Sequence, residues 1–139
     1  MLTVNIENKQ AQVPVTIMSL EGELDASSYM SLIDQTSSLY ASGTRDLLLD
    51  LNQLTFMSST GLVALHSMAL VMRGGELPEA ESGWGSFHAI ARDVEAGTGP
   101  EEHLKLMNPQ PRVKKVLDIS GFSQILDIFD DQESALASF

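Results

Sequence analysis

Cysteine is absent, and lysine and arginine together supply 8 of 139 residues against 19 aspartates and glutamates. Without thiols the chain has no disulfides, no thiolate nucleophile and no cysteine metal site. The shortage of positive charge leaves a formal net charge of -11. Such a surface repels nucleic-acid backbones and anionic membranes. It could steer a basic partner, but plain solubility is the simpler and preferred account. No apolar stretch reaches the length of a membrane span. The segment after Met1 alternates apolar and polar residues, with no basic stretch and apolar run, so no signal peptide is expected. The expected setting is soluble and cytoplasmic.

Hydrophobic residues make up 43% of the chain, which suits one folded domain over residues 1–139. Its most informative stretch is Arg45 to Met72. Leu47 to Leu51 is an apolar run broken only by Asp50, as expected of a strand covered on both faces. Phe56 to Gly61 is a hydroxyl-rich turn containing Ser58, Ser59 and Thr60. Leu62 to Met72 is apolar nearly all round, the pattern of a helix packed on more than one side. The three hydroxyls thus fall at a helix start, where backbone N–H groups are unpaired and the macrodipole is positive. A hydroxyl there caps the helix, and a phosphate attached to it would meet free N–H groups. From this stretch alone, a simple N-cap is the expected role of Ser59.

Around that stretch the elements alternate. Leu2, Val4 and Ile6 give the period of two of a half-buried edge strand, followed by a polar turn at Asn8–Gln10. Val13 to Leu20 is a second strand. Asp25 is placed to cap a helix from Ala26 to about Ala41, which Ser42-Gly43 ends. Residues 74–101 read as a long acidic loop, with a short helix at Phe87–Ala96 and with Trp84 either anchoring the loop or lining a binding surface. Leu104 to Met107 is a short strand. Asn108 and Pro109 open a helix whose inner stripe is Val113, Val116 and Leu117, and Gly121 stops it. Ile125 to Phe129 is a last strand and Gln132 to Ala137 a closing helix. The order β-β-α-β-α-loop-β-α-β-α predicts an α/β fold with a mixed, mainly parallel sheet of four to five strands and about four helices.

Together these segments resemble the STAS domain, the sulphate-transporter and anti-sigma-factor-antagonist fold. Gly22-Glu23-Leu24-Asp25 is similar to the segment before the family's first helix, and Leu47–Leu51 to its central strand. Phe56-Met57-Ser58-Ser59-Thr60-Gly61-Leu62 resembles its signature turn. Residues Asn108–Val116, Gly121-Phe122 and Ile125–Phe129 resemble its closing helix and strand. The resemblance implies an anti-sigma-factor antagonist that is phosphorylated on Ser59, with Ser58 and Thr60 as lesser acceptors. Its partners would be an anti-sigma factor acting as a serine kinase of the histidine-kinase-like ATPase type, and a phosphatase. The surface they meet would include Asp25, Ser58, Thr60, Gly61, Leu62, Val63 and His66, on a monomer or weak dimer. Ser58 stands where the family usually has aspartate. That departure leaves room for a STAS scaffold or ligand-sensing module that is never phosphorylated. Either the acidic loop or a partner would cover Leu62 and Val63.

Other chemistry finds little support. A strand-to-helix turn suits a nucleophile elbow, but Met57 occupies the place of the first glycine of that pattern. Activating Ser59 would need a nearby base, and none of His66, His88 and His103 has an orienting carboxylate evident in the sequence. Three scattered histidines give no metal-ligand spacing. No catalytic residue, metal or cofactor is therefore expected.

Overall fold

The structure, a computed structural model, describes residues 2–72 and 103–139. Strand β1 (Leu2–Gln10) and β2 (Pro14–Leu24) form an antiparallel hairpin. Then follow α1 (Tyr29–Ala41), β3 (Leu47–Met57), α2 (Ser59–Met72), β4 (Leu104–Met107), α3 (Pro111–Ser120), a 3₁₀ turn at Phe122–Gln124, β5 (Ile128–Phe129) and α4 (Gln132–Ala137). The five strands lie in the order β1-β2-β3-β4-β5, and all pairs after the first are parallel.

A parallel sheet in sequential order has a physical consequence. Crossovers of one hand put every connecting helix on the same face. Leu32 and Ile33 of α1, Leu65 and Met68 of α2, and Val113 and Leu117 of α3 accordingly share one core with Met18, Leu20, Leu47, Leu49, Leu104 and Leu106. The opposite face carries Val15, Ile17, Leu48 and Met107, against which Ala135 of α4 packs. Alternation along β3 sends Leu47 and Leu49 to one core and Leu48 to the other, so this strand is buried on both faces as its composition predicts.

Several boundaries differ from the sequence expectation. Asn8, Lys9 and Gln10 belong to β1, where they pair with Thr16, Val15 and Pro14, and the turn falls at residues 11–13. β3 runs on to Met57 because β2 continues beside it to Leu24. Past Asp50, where β4 ends its pairing, the exposed side chains are the polar Asn52, Gln53 and Thr55, joined by Phe56. α1 begins at Tyr29, not Ala26. Asn108 does not cap α3. It takes a left-handed conformation with φ 55°, Gln110 holds the cap position, and Pro111 opens the helix. Residues 125–127 are not strand, which shortens the predicted Ile125–Phe129 to two residues. Gly43 and Gly121 do end their helices with positive φ. The acidic stretch at 74–101, with Trp84, the short helix at Phe87–Ala96 and His88, lies outside the described residues.

Candidate functional site

The C-terminal ends of β2 and β3 lie side by side, with Leu24 opposite Met57. From that edge the chain turns at once into α2. Ser58 is the only residue between strand and helix, and its N–H donates to Leu24 O at 3.0 Å. Ser58, not Ser59, therefore occupies the cap position, and the Gly61 N–H donates to its carbonyl at 2.9 Å. The Ser58 and Thr60 hydroxyls lie 2.6 Å apart and share one hydrogen bond, one donating to the other. Ser59 stands between them as the first residue of α2, exposed to solvent.

The tightness of this turn depends on Gly61. A Cβ there would come within 2.6 Å of Met57 Cγ and 3.2 Å of the Leu24 carbonyl oxygen. The absent side chain lets the first turn of α2 lie directly on the β2–β3 edge.

Asp25 follows Leu24 and thus borders the Ser58 contact. Its Oδ1 accepts from the Ser27 N–H at 2.9 Å and from the Ser27 hydroxyl at 2.6 Å. These bonds, the hydroxyl's first, hold its carboxyl below the usual carboxylate range. The Ser28 hydroxyl donates to Glu23 O at 3.0 Å and accepts from the Asp25 N–H at 3.1 Å. Asp25 therefore caps a turn that precedes α1, not the helix itself. Sequence reasoning missed the supporting pair Ser27 and Ser28. The signal was present in Asp25-Ala26-Ser27-Ser28, because aspartate commonly accepts a hydrogen bond from the backbone two residues on.

The remaining expected surface residues divide. Gly61, Leu62 and His66 are buried, and Leu62, 9% exposed, belongs to the helical-face core. Val63 is half-buried and packs against that core. The accessible part of the site is the edge formed by Ser58, Ser59, Thr60 and the Asp25 turn.

One expectation about the histidines is corrected. His103 does have a carboxylate partner, with Nδ1 2.9 Å from Asp46 Oδ1. That pair sits where β3 and β4 begin, since Leu47 N donates to His103 O. Ser59 lies beyond the other end of the eleven-residue β3. At about 3.3 Å per residue the separation is about 35 Å, too far for His103 to act on Ser59.

With this geometry in place, sequence comparison decides the family. The model of the family described as "Mlab, STAS domain" matches residues 8–77, half of the chain, including β2, α1, β3 and the Ser58–Gly61 turn. The chain belongs to the STAS family. No curated protein matches it significantly. Among solved structures, an anti-sigma factor antagonist from Mycobacterium paratuberculosis superposes with a TM-score of 0.68 at 17% identity, covering 99% of this chain and 93% of that one. The anti-sigma factor antagonist SpoIIAA in its unphosphorylated form gives 0.58 at 21% identity, covering 96% and 93%. The phosphorylated form of SpoIIAA, a Bacillus cell fate determinant, gives 0.53 at 20%, covering 96% of each chain. At these identities the likeness establishes the STAS fold, seen among the described residues as a five-stranded, mostly parallel sheet with four helices. Among the described residues of this STAS chain, no helix is long and apolar enough to cross a membrane.

Proposed function

We propose that this STAS chain is an anti-sigma-factor-antagonist-type binding switch controlled by reversible phosphorylation of Ser59. In this reading it acts in the cytoplasm and regulates transcription indirectly. The unmodified form binds an anti-sigma factor that is also a serine kinase of the histidine-kinase-like ATPase type. Phosphorylated Ser59 is released from that partner, and a phosphatase resets it. The observation that carries the reading is the arrangement of the three hydroxyls. Ser58 and Thr60 are engaged with each other, whereas Ser59 is exposed at the first residue of α2. A phosphate there adds about -1.5 to -2 charge at a helix end, where free N–H groups favour it. Inside an interface the same charge would have to be desolvated, which opposes binding unless a cation meets it. That SpoIIAA is known in both unphosphorylated and phosphorylated forms supports the analogy.

The test has two parts. Intact-mass and phosphosite mapping of protein from its native host should find phosphate on Ser59. Titration against the captured anti-sigma partner should show Ser59→Asp binding at least about tenfold more weakly than wild type, a change of about 1.4 kcal/mol. Equal affinity of the two would reject the switch.

A second reading keeps the fold and drops the phosphate. Ser58 in place of the family's usual aspartate motivates it, because the turn lacks a carboxylate a kinase could read. An open groove of about 670 Å³ between β1 and α1, lined by Ile6, Asp34 and Leu39 among others, offers a ligand-sensing module a place to bind. A complete absence of phosphate on residues 58–60 under all growth conditions would favour this reading.

A further inference from the structure

The chain's few cations are unevenly placed. Three of its 8 basic residues, Arg112, Lys114 and Lys115, fall within four positions of α3, and all three are exposed. Lys114 reaches Asp118 at 3.3 Å. Arg112 and Lys115 form no ion pair among the described residues. Beside them is apolar surface. Ile119 is 77% exposed, the most exposed large hydrophobic side chain among the described residues. With Pro109, Pro111 and the lysine stems it lines a shallow groove of about 400 Å³.

Helical spacing organises this face. Pro111, Lys115 and Ile119 follow one another at intervals of four, so they form one row, with Lys114 and Asp118 in the next. The row is about 12 Å long. The opposite side of α3, Val113 and Leu117, is fully buried in the core. The outward row therefore has no part in holding the sheet together, and an isoleucine this exposed next to unpaired cations has no folding reason among the described residues.

We propose that the outward face of α3 is a docking surface for a partner protein's acidic segment carrying one large apolar side chain. The apolar side chain would lie against Ile119, Pro111 and Pro109, and its flanking carboxylates would meet Lys115, Lys114 and Arg112. Charge complementarity selects this occupant. The chain as a whole carries -11, so an extended anionic surface such as a membrane is repelled over most of its area. A short acidic segment covers only the patch of Arg112, Lys114 and Lys115, whose three positive charges outnumber the one carboxylate on that face, Asp118, and it lies within about one Debye length of them. The negative remainder of the molecule then disfavours every other placement of an acidic partner, which fixes orientation as well as site.

The proposal is independent of phosphorylation at Ser59. Its test uses the full chain, isotopically labelled, titrated with a synthetic glutamate-rich peptide of about ten residues that carries a single central leucine. A lysine–leucine peptide of equal length and vesicles of phosphatidylserine are the comparison probes. Amide shifts confined to Gln110 and residues 112–120, produced by the acidic peptide and weakened about tenfold or more by Lys114→Glu with Lys115→Glu, are the expected result. Ile119→Ser should weaken binding several-fold without altering the circular dichroism spectrum. Raising salt from about 0.05 to about 0.5 M should weaken it as well. Three results would overturn the proposal: stronger binding to the vesicles, equal shifts with the basic peptide, or concentration-dependent self-association that accounts for the same shifts.

Discussion

Within the turn that opens α2, neighbouring residues have separate tasks. Ser58 and Thr60 close a hydroxyl pair, Ser59 is left accessible, and Gly61 permits the close approach of helix to sheet. Gly61→Ala should therefore be destabilising, even though alanine is the better helix former. The new methyl group forces Met57 aside and presses on the Leu24 carbonyl, an overpacking cost of about 1–3 kcal/mol that urea denaturation would read. Unchanged stability would mean that Met57 repacks freely and that the turn is looser than its contacts indicate. Replacing Ser59 itself with alanine should leave the unfolding midpoint within error, because its exposed side chain fills no cavity. Much of this was legible in the sequence: the hydroxyl run, the glycine and their place before an apolar helix. Which hydroxyl caps and which is free was not legible, because that depends on where β3 ends, and β3 ends where β2 ceases to pair with it.

At the scale of elements, hydrophobic period located what tertiary cover enforces and failed where it does not. β4 and α4 match their predicted bounds, Leu104–Met107 and Gln132–Ala137. The distal half of β3 escaped detection because it projects past β4 and carries polar exposed side chains. Asn108 misled because asparagine both caps helices and tolerates positive φ, and here the second property is used. Lys105 in β4 has no mark in the sequence beyond its place in a strand, yet its side chain is 8% exposed and reaches Asp127 at 3.3 Å. Asp127 itself retains contact with solvent. A buried ion pair is poor evidence for stability, since desolvation offsets much of the attraction. Lys105→Met should be neutral to stabilising by about 1 kcal/mol, because Asp127 can rehydrate. A loss well beyond that in chemical denaturation would show that the pair contributes net stability to the β4–β5 edge.

The same scale carries a pH dependence. Asp131 caps α4 by accepting from the Ser134 N–H at 2.7 Å, and this bond lowers its pKa from the ordinary 3.8. Asp118 is lowered by the Ser123 hydroxyl and then by Lys114. Groups with a depressed folded-state pKa bind fewer protons folded than unfolded. Their contribution is thus present above the unfolded value of 3.8 and is lost as pH falls through the lowered folded values. Asp131→Asn and Asp118→Asn should each flatten the fall of the melting temperature below about pH 4, with little effect on its slope above pH 6. A slope below pH 4 that matches wild type in both variants would remove this account of acid sensitivity.

For the molecule as a whole, charge balance outweighs any single pair. Nineteen carboxylates face 8 cations, so most acidic groups have no cation to meet. The lysine–carboxylate pairs among the described residues are Lys9–Glu7, Lys105–Asp127 and Lys114–Asp118, and His103 is hydrogen-bonded to Asp46. Two of them, Lys9–Glu7 and Lys114–Asp118, are exposed at both ends and contribute little. Compaction brings the unpaired negative charges closer together, and that repulsion destabilises the folded state at neutral pH. Added salt screens both the repulsion and the exposed pairs, but the repulsion involves far more charge. Stability should therefore rise as sodium chloride increases from about 0.05 to about 0.5 M, with most of the gain complete once the Debye length falls below about 5 Å. The same change weakens the docking proposed for α3, so stability and binding should move in opposite directions in one titration. A melting temperature that falls with salt would mean that the attractive pairs outweigh the excess of negative charge in setting stability.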